Sequence, residues 1–174
     1  MPVTLFELTL PRFRRALGVI VHLLDRAEAQ FRAEGRNVSD LTNLRLAPDM
    51  NPLPAQIASA IDNAVGAAAR LRGLPHLPGT ELATLDDVRS ALAGALAGLD
   101  ALTPGDFEGA EDREIILASP KGARHFQAVD YVLNLAMPNV QFHTAIVYAL
   151  LRTEGLDIGK RDFLGELPPR SREI

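Results

Sequence analysis

The sequence predicts a mainly α-helical protein, a four-helix bundle with one small β-hairpin before the last long helix. Apolar residues recur every three or four positions over four long stretches, which is the pattern of amphipathic helices. Proline and glycine stand at the ends of these stretches, where helices begin and end. One segment before the fourth stretch differs, because two β-prone runs flank a Pro/Gly turn. At 174 residues, the chain fits a single domain over residues 1–174.

Composition narrows the possible partners and the expected location. Hydrophobic residues make up 47% and charged residues 23%, as in an ordinary globular protein. The net charge is −4 and no Lys/Arg cluster stands out, so nucleic acid is not an expected partner. Without cysteine there can be no disulfide, thiolate metal ligand or cysteine nucleophile. No apolar run approaches the ~20 residues of a membrane span, and no secretory signal is recognisable. We therefore expect a cytoplasmic protein with no membrane partner.

The first helix is predicted over residues 11–33. Its apolar stripe consists of Phe13, Leu17, Ile20, Leu24, Ala27 and Phe31. Pro11 suits a position in the first turn, and Gly35 is expected to stop the helix. His22 lies off the stripe, so we expect its side chain to be exposed.

The second helix is predicted to follow a connector, residues 35–50, that contains a short helical turn at residues 39–43. Asn51 is expected to cap this helix and Pro52 to occupy its first turn. The apolar stripe then continues to about Arg72, where Gly73 ends the helix. His76, in the loop that follows, is expected to be exposed.

The third helix begins with a recognisable cap. Thr84 and Asp87 resemble a capping box, with aspartate in place of the usual glutamate. A leucine-rich stripe follows, and the Thr-Pro-Gly run at residues 103–105 ends the helix. After it, residues 114–118 and 124–127 predict the two strands of the hairpin.

The fourth helix is predicted to begin near Ala128 and to contain a proline. Pro138 has no backbone N–H, and its ring clashes with the carbonyl of Asn134, so the helix must kink or divide there. Asn139 and His143 are four residues apart and share a face beside this loosened turn. We expect Val129 on the buried face and Gly155 at the end of the helix.

The C-terminal segment admits two interpretations. Residues 160–162 carry a Lys-Arg-Asp run that could bind an anion, although no phosphate-loop spacing is present. The alternative is that Phe163 and Leu164 anchor this segment to the bundle. Residues 166–174 are expected to be a mobile tail.

Four sequence blocks resemble the signatures of an uncharacterised bacterial family in the DinB/YfiT-like metalloenzyme superfamily. These blocks are LAPDM (46–50), FEGAEDR (107–113), PNVQFH (138–143) and GKRDFLG (159–165). The resemblance covers essentially the whole chain. It implies a DinB-like four-helix bundle that is often dimeric, so a homodimer is expected, but it implies no particular reaction.

The same resemblance implies a metal site that this chain has lost in part. Relatives in the superfamily hold a divalent metal with one histidine from the second helix and a His-x-x-x-His pair from the fourth. Here His143 matches the second histidine of the pair, but Asn139 occupies the first position. The second helix has no histidine, and Gln56 and Asp49 are the nearest polar residues. Zinc and nickel favour imidazole, whereas a hard ion could use Asp49 and the amide oxygens.

Each of these residues also has a structural interpretation. His143 could be a metal ligand, or a buried histidine that is hydrogen-bonded to a neighbour. Asn139 could cap the turn opened by Pro138, and Asp49 could cap the second helix. The sequence contains no complete catalytic constellation, so it leaves open whether the protein is an enzyme.

Three functional hypotheses follow. The first is small-molecule binding in a polar pocket between the second and fourth helices, formed by Asp49, Gln56, Asn139 and His143. The second is a metal-dependent enzyme of hydrolase or thiol-transferase type with an atypical ligand set, using zinc or nickel at His143. The third is a structural or interaction protein that acts as a homodimer.

Overall fold

A computed structural model describes residues 3–76, 79, 81–119 and 122–165. In chain order its elements are α1 (Leu5–Ala33), a 3₁₀ turn (Val38–Asn43), α2 (Leu53–Leu71), α3 (Leu85–Asp100), a second 3₁₀ turn (Pro104–Phe107), β1 (Glu114–Ser119), β2 (Gly122–Gln127), α4 (Ala128–Tyr131), a π-helical turn (Val132–Ala136), α5 (Met137–Thr153) and α6 (Lys160–Leu164). The predicted fold class, a mainly helical bundle with one hairpin, is confirmed.

The four long helices form a ring. Helix α1 packs against α3 and α5, and α2 packs against the same two helices. The most extensive helix–helix interface joins α2 to α5. Every apolar residue of the predicted α1 stripe is fully buried. Burial of such side chains stabilises the fold by about 1.5–3 kcal/mol each, so these stripes supply most of the driving force for folding.

Helix α1 begins six residues earlier than predicted. Thr4 and Glu7 form a capping box, so Pro11 lies inside the helix rather than in its first turn. The missing N–H of Pro11 would have bonded to the Glu7 carbonyl. Instead, Arg12 Nη1 donates hydrogen bonds to the carbonyls of Glu7, at 3.0 Å, and Leu8, at 2.8 Å. The neighbouring arginine thus supplies the donor that proline removes.

Glycine ends both α1 and α2, as predicted. Gly35 has φ +68° and Gly73 has φ +74°, in the left-handed region that glycine adopts without strain. The start of α2 differs from the prediction, because Pro52 occupies the N-cap position and no side chain caps the helix. The backbone carbonyl of Asn51 instead accepts a hydrogen bond from Gln56 Nε2, at 3.2 Å.

The hairpin packs against the last helical segment. Its strands are antiparallel, with Ile115 opposite Phe126. Ile115 is buried, and the Phe126 ring lies 6.1 Å from the Tyr131 ring of α4, measured between centroids. This apolar contact gives a two-stranded sheet the support that it needs for stability.

In the last long helix, the π turn comes directly before the turn that contains Pro138. The N–H of Met137 bonds to the carbonyl of Val132, five residues back, instead of four. A turn of this kind holds one residue more than an α-turn, so the segment before it is rotated relative to α5. Val129, predicted to be buried, is for this reason 40% exposed.

Within the described residues, no helix is long and apolar enough to cross a membrane. The predicted mobile tail, residues 166–174, lies outside the described residues.

Candidate functional site

The α2–α5 interface brings together two of the four residues predicted to form a site. His143 Nδ1 lies 2.8 Å from Oε1 of Gln56, and Gln56 is only 3% exposed. The two side chains come from different helices, 87 residues apart in sequence. Their hydrogen bond therefore fixes the relative position of α2 and α5 at this level of the bundle.

The hydrogen bonds around Gln56 determine the tautomer of His143. Gln56 Nε2 donates to the Asn51 carbonyl, which can only accept, so Oε1 of the same amide faces His143 as an acceptor. His143 Nδ1 must then carry the proton. In the neutral ring, Nε2 is left as an unprotonated acceptor. His143 Nε2 has no hydrogen-bond partner among the described residues, and it is accessible to solvent.

Burial also favours the neutral form of this ring. The imidazole is half-buried, and the loss of solvation lowers the pKa of His143 below its ordinary value. Its ring meets the Phe142 ring edge to face, with centroids 5.2 Å apart. His143 is thus arranged to accept a hydrogen bond at neutral pH.

Asn139 lies one turn before His143 but is used by the helix itself. Its Nδ2 donates to the carbonyl of Leu135, at 2.8 Å. Leu135 belongs to the π turn that precedes Pro138, where the regular hydrogen-bond pattern is interrupted. The structural interpretation, a polar cap beside the loosened turn, describes this contact. The amide oxygen of Asn139 has no hydrogen-bond partner among the described residues.

Asp49 takes no part in the hydrogen bonds of His143 and Gln56. It is exposed in the connector between the first 3₁₀ turn and α2. No hydrogen bond or ion pair joins it to the described parts of Gln56, Asn139 or His143. It does not cap α2 either, since that helix has no side-chain cap.

These donors do not fit a three-histidine metal centre. The interface offers one imidazole, while the amides of Gln56 and Asn139 already make hydrogen bonds within the protein. Across the described ranges, no group of three or more histidine, cysteine, aspartate or glutamate side chains could hold a metal ion. Zinc and nickel sites ordinarily need more imidazole or thiolate ligands than this.

A second polar pair, His76 and Asp62, lies at the other side of α2, and no sequence pattern predicts it. His76 was expected to be exposed, but its side chain is only 9% exposed. Its Nε2 lies 2.7 Å from Oδ1 of Asp62. Gly66 makes room for the ring, because a Cβ at that position would lie 2.7 Å from His76 Cδ2. A glycine one turn after an aspartate in a helix was the available signal, but it did not reveal the partner.

The C-terminal segment docks on α1 and α5. Phe163 packs edge to face on Tyr148, with ring centroids 5.9 Å apart, and Asp162 Oδ1 lies 2.8 Å from His22 Nε2. Hydrogen bonds from His22 and from the Gly159 N–H lower the pKa of the Asp162 carboxyl. The anchoring interpretation thus holds for Phe163, whereas Leu164 remains exposed.

Comparisons with known proteins agree with this architecture. The model of the family described as Domain of unknown function (DUF1993) matches residues 5–164. A crystal structure of a DinB family member protein from Shewanella denitrificans is similar, with 29% identity and a TM-score of 0.84. The similarity covers 97% of this chain and 96% of that one. No curated protein matches the chain. The resemblance drawn from the four sequence blocks is therefore confirmed.

Proposed function

This chain belongs to the DUF1993 family, and from that premise we propose that it binds a small polar molecule at the α2–α5 interface. The observation that carries the proposal is the His143–Gln56 hydrogen bond. It holds the imidazole in one tautomer and leaves Nε2 as an acceptor. The ligand would donate a hydrogen bond to Nε2 from a hydroxyl or amide group.

The surroundings of His143 support a binding role in preference to a catalytic one. A general base needs a substrate proton within reach and a group that stabilises the charge that develops on the imidazole. The partner of Nδ1 here is the neutral amide of Gln56, which orients the ring without stabilising a positive charge as a carboxylate would. Asn139 could add a further contact through its amide oxygen. Asp49 would contact the ligand only if the ligand extended to the connector between the first 3₁₀ turn and α2.

Nuclear magnetic resonance can test this proposal directly. A panel of small amides, ureas and alcohols would be added to the full-length protein while the ¹⁵N resonance of His143 Nε2 is followed. We expect at least one compound to shift that resonance saturably, because a new hydrogen bond changes the shielding of the nitrogen. Binding to the variants would be followed by the backbone amide resonances of α2 and α5, because His143→Ala has no imidazole nitrogen to observe. His143→Ala should abolish the binding, whereas Gln141→Ala, at an exposed position of α5, should leave it unchanged.

The main alternative is a metal-dependent enzyme that uses zinc or nickel at His143. Protein purified without a histidine tag would be analysed for bound metal. Stoichiometric zinc or nickel that is lost in His143→Ala would overturn the binding proposal in favour of this alternative. The binding proposal would also be contradicted if no compound of the panel shifted the ¹⁵N resonance of His143 Nε2.

A homodimer is the second candidate function, and exposed apolar side chains favour it. Leu133 is 50% exposed and Phe142 is 54% exposed, on the same helical segment that carries the proposed binding residues. Large exposed apolar side chains are characteristic of association surfaces, and these two lie on different faces of the segment, so a partner copy would have to reach around it to contact both. We propose that this segment contributes to a contact between two copies.

A further inference from the structure

We propose that a second site, separate from His143, binds a small protonated amine with an apolar body. The site is a cavity of about 530 Å³ between α2, α3 and the segment after α2. Among the described residues its walls consist of Ala58, Ser59, Ile61, Asp62, Asn63, Val65, His76, Gly79, Leu82 and Ala91. A cavity of this volume is in the range of small-molecule sites.

The Asp62–His76 pair defines the polar side of this cavity. An ionised carboxylate can only accept hydrogen bonds, so the Nε2 that faces Asp62 carries the proton. The other ring nitrogen, Nδ1, is then an acceptor in the neutral imidazole. It has no hydrogen-bond partner among the described residues. The His76 ring packs against Gly66, beside the Arg70 guanidinium, where a Cβ would lie 2.7 Å from either group.

The remaining polar groups of the cavity are also mainly acceptors. The Ser59 hydroxyl donates its hydrogen to the Ala55 carbonyl, at 2.9 Å, so that its oxygen can only accept from a ligand. Asn63 Nδ2 donates to the Ser59 carbonyl, at 2.8 Å, which leaves Oδ1 and one amide hydrogen. Together with the second oxygen of Asp62, the acceptors outnumber the donors. A ligand rich in N–H groups would satisfy them.

The negative charge of the Asp62 carboxylate favours the binding of a cation in this cavity. Asp62 is the acidic side chain among the described lining residues, and only one of its two oxygens faces His76. The Arg70 guanidinium also lies beside Gly66, but its Nη1 donates to the hydroxyl of Tyr131, at 3.1 Å, and it forms no ion pair with Asp62. Charge-assisted hydrogen bonds between an ammonium and a carboxylate are stronger than neutral ones. A protonated amine is therefore favoured over a neutral or anionic compound.

Apolar side chains form the rest of the wall. Ile61 and Val65 from α2, Ala91 from α3 and Leu82 from the segment between them face the cavity. They would cover the hydrocarbon part of the ligand, and each buried CH₂ group contributes about 0.8 kcal/mol in transfer free energy. The site thus fits an alkylamine or arylalkylamine better than a polyamine with no apolar surface.

Three probes that share a phenylethyl group and differ in their polar head group test the charge preference on the unaltered protein. The full-length chain would be titrated with 2-phenylethylammonium, 2-phenylethanol and 3-phenylpropanoate while backbone amide resonances are recorded. We expect the ammonium to bind about tenfold or more tightly than the alcohol, because a charged hydrogen bond is lost in the alcohol. The shifts should lie at residues 58–66 and Leu82 rather than around His143, which separates this site from the one under Proposed function.

Two matched variants complete the test. Asp62→Asn keeps the size of the side chain and an acceptor for His76, but should weaken ammonium binding about tenfold or more. Asp40→Asn removes the same charge from an exposed position of the first 3₁₀ turn and should change the affinity less than about twofold. Equal affinity for the ammonium and the alcohol, tighter binding of the carboxylate, or no saturable binding of any probe would each overturn the proposal. The probe series decides the matter alone if Asp62→Asn does not fold.

Discussion

At the scale of single residues, the hydrogen-bond partner determines what each histidine can do. Gln56 is neutral, so it orients His143 without favouring the imidazolium, and burial then lowers the pKa. The carboxylate of Asp62 instead faces His76. His143 in α5 and His76 in the loop after α2 are thus prepared for different ligands: the first for a neutral donor, the second for a cation beside its carboxylate.

The lowered pKa of His143 predicts a pH dependence of stability. The unfolded chain regains the ordinary value of about 6.5, so below that pH it binds more protons at this residue than the folded chain does. The free energy of unfolding should therefore fall as the pH falls through that value, and the loss should stop below the folded pKa. His143→Asn keeps a donor near Gln56 but cannot titrate. Urea unfolding between about pH 8 and pH 5 should show a smaller loss for this variant than for the wild type.

The quantity to compare is the difference in free energy of unfolding between the wild type and His143→Asn at each pH. The other histidines are present in both, so their contributions cancel. Parallel stability curves over the whole pH range would contradict the assignment of a lowered pKa to His143.

At the scale of elements, two helices depart from regular geometry and each compensates locally. In α1, Arg12 supplies the donor that Pro11 lacks. In the last helical segment, the π turn and the Asn139 amide accommodate Pro138. In α1 the side chain bonds to the carbonyl that the proline leaves open, and in the last helical segment the Asn139 amide bonds to a carbonyl of the π turn itself.

Removal of Pro11 should stabilise α1. Pro11→Ala restores the N–H that bonds to the Glu7 carbonyl, and we expect the free energy of unfolding to rise by about 1–2 kcal/mol. Arg12→Ala should lower it by about 0.5–1 kcal/mol in the wild type and by less in the Pro11→Ala background. Urea unfolding of the four proteins measures this coupling. Additive effects would show that Arg12 does not replace the proline's missing donor.

The same substitution in two helices should have opposite effects. Gly94 lies in the interior of α3 with open space around its Cα, so Gly94→Ala should raise the free energy of unfolding by about 0.5–1 kcal/mol. Gly66→Ala, inside α2, would bring a methyl group against the His76 ring. We expect it to lower the free energy of unfolding by about 1–3 kcal/mol, as overpacking does. Equal gains in both variants would refute the close packing of His76.

At the scale of the whole molecule, a dimer remains a prediction that sedimentation velocity can test. The wild type should shift from monomer to dimer as its concentration rises. Leu133→Gln with Phe142→Gln should shift that equilibrium towards the monomer, because both apolar side chains would leave the contact. Ile116→Gln, at an exposed position of the hairpin, is a matched control for loss of apolar surface. A monomer at every concentration would count against the dimer.

The sequence was informative wherever the determining pattern is local. The apolar stripes, the Thr84 capping box and the hairpin all follow from residues within one or two turns of each other. The box at Thr4 has the same local pattern, whereas Pro11 favours a position in the first turn, so the prediction from the proline starts α1 too late. His143 and Gln56 could be named as candidates, whereas the burial of His76 depends on a contact between a loop and a glycine that no periodicity reveals.

The π turn absorbs a difference in chain length inside a helix. Because it holds one residue more than an α-turn, deleting one residue between Val132 and Ala136 would allow an ordinary α-turn and leave α4 and α5 almost in place. The Phe126–Tyr131 contact and the hairpin would therefore stay on the same side of the bundle. One residue removed from a regular α-helical turn would instead rotate the segments on its two sides by about 100° relative to each other. At the π turn, the bundle can become one residue shorter and keep its architecture.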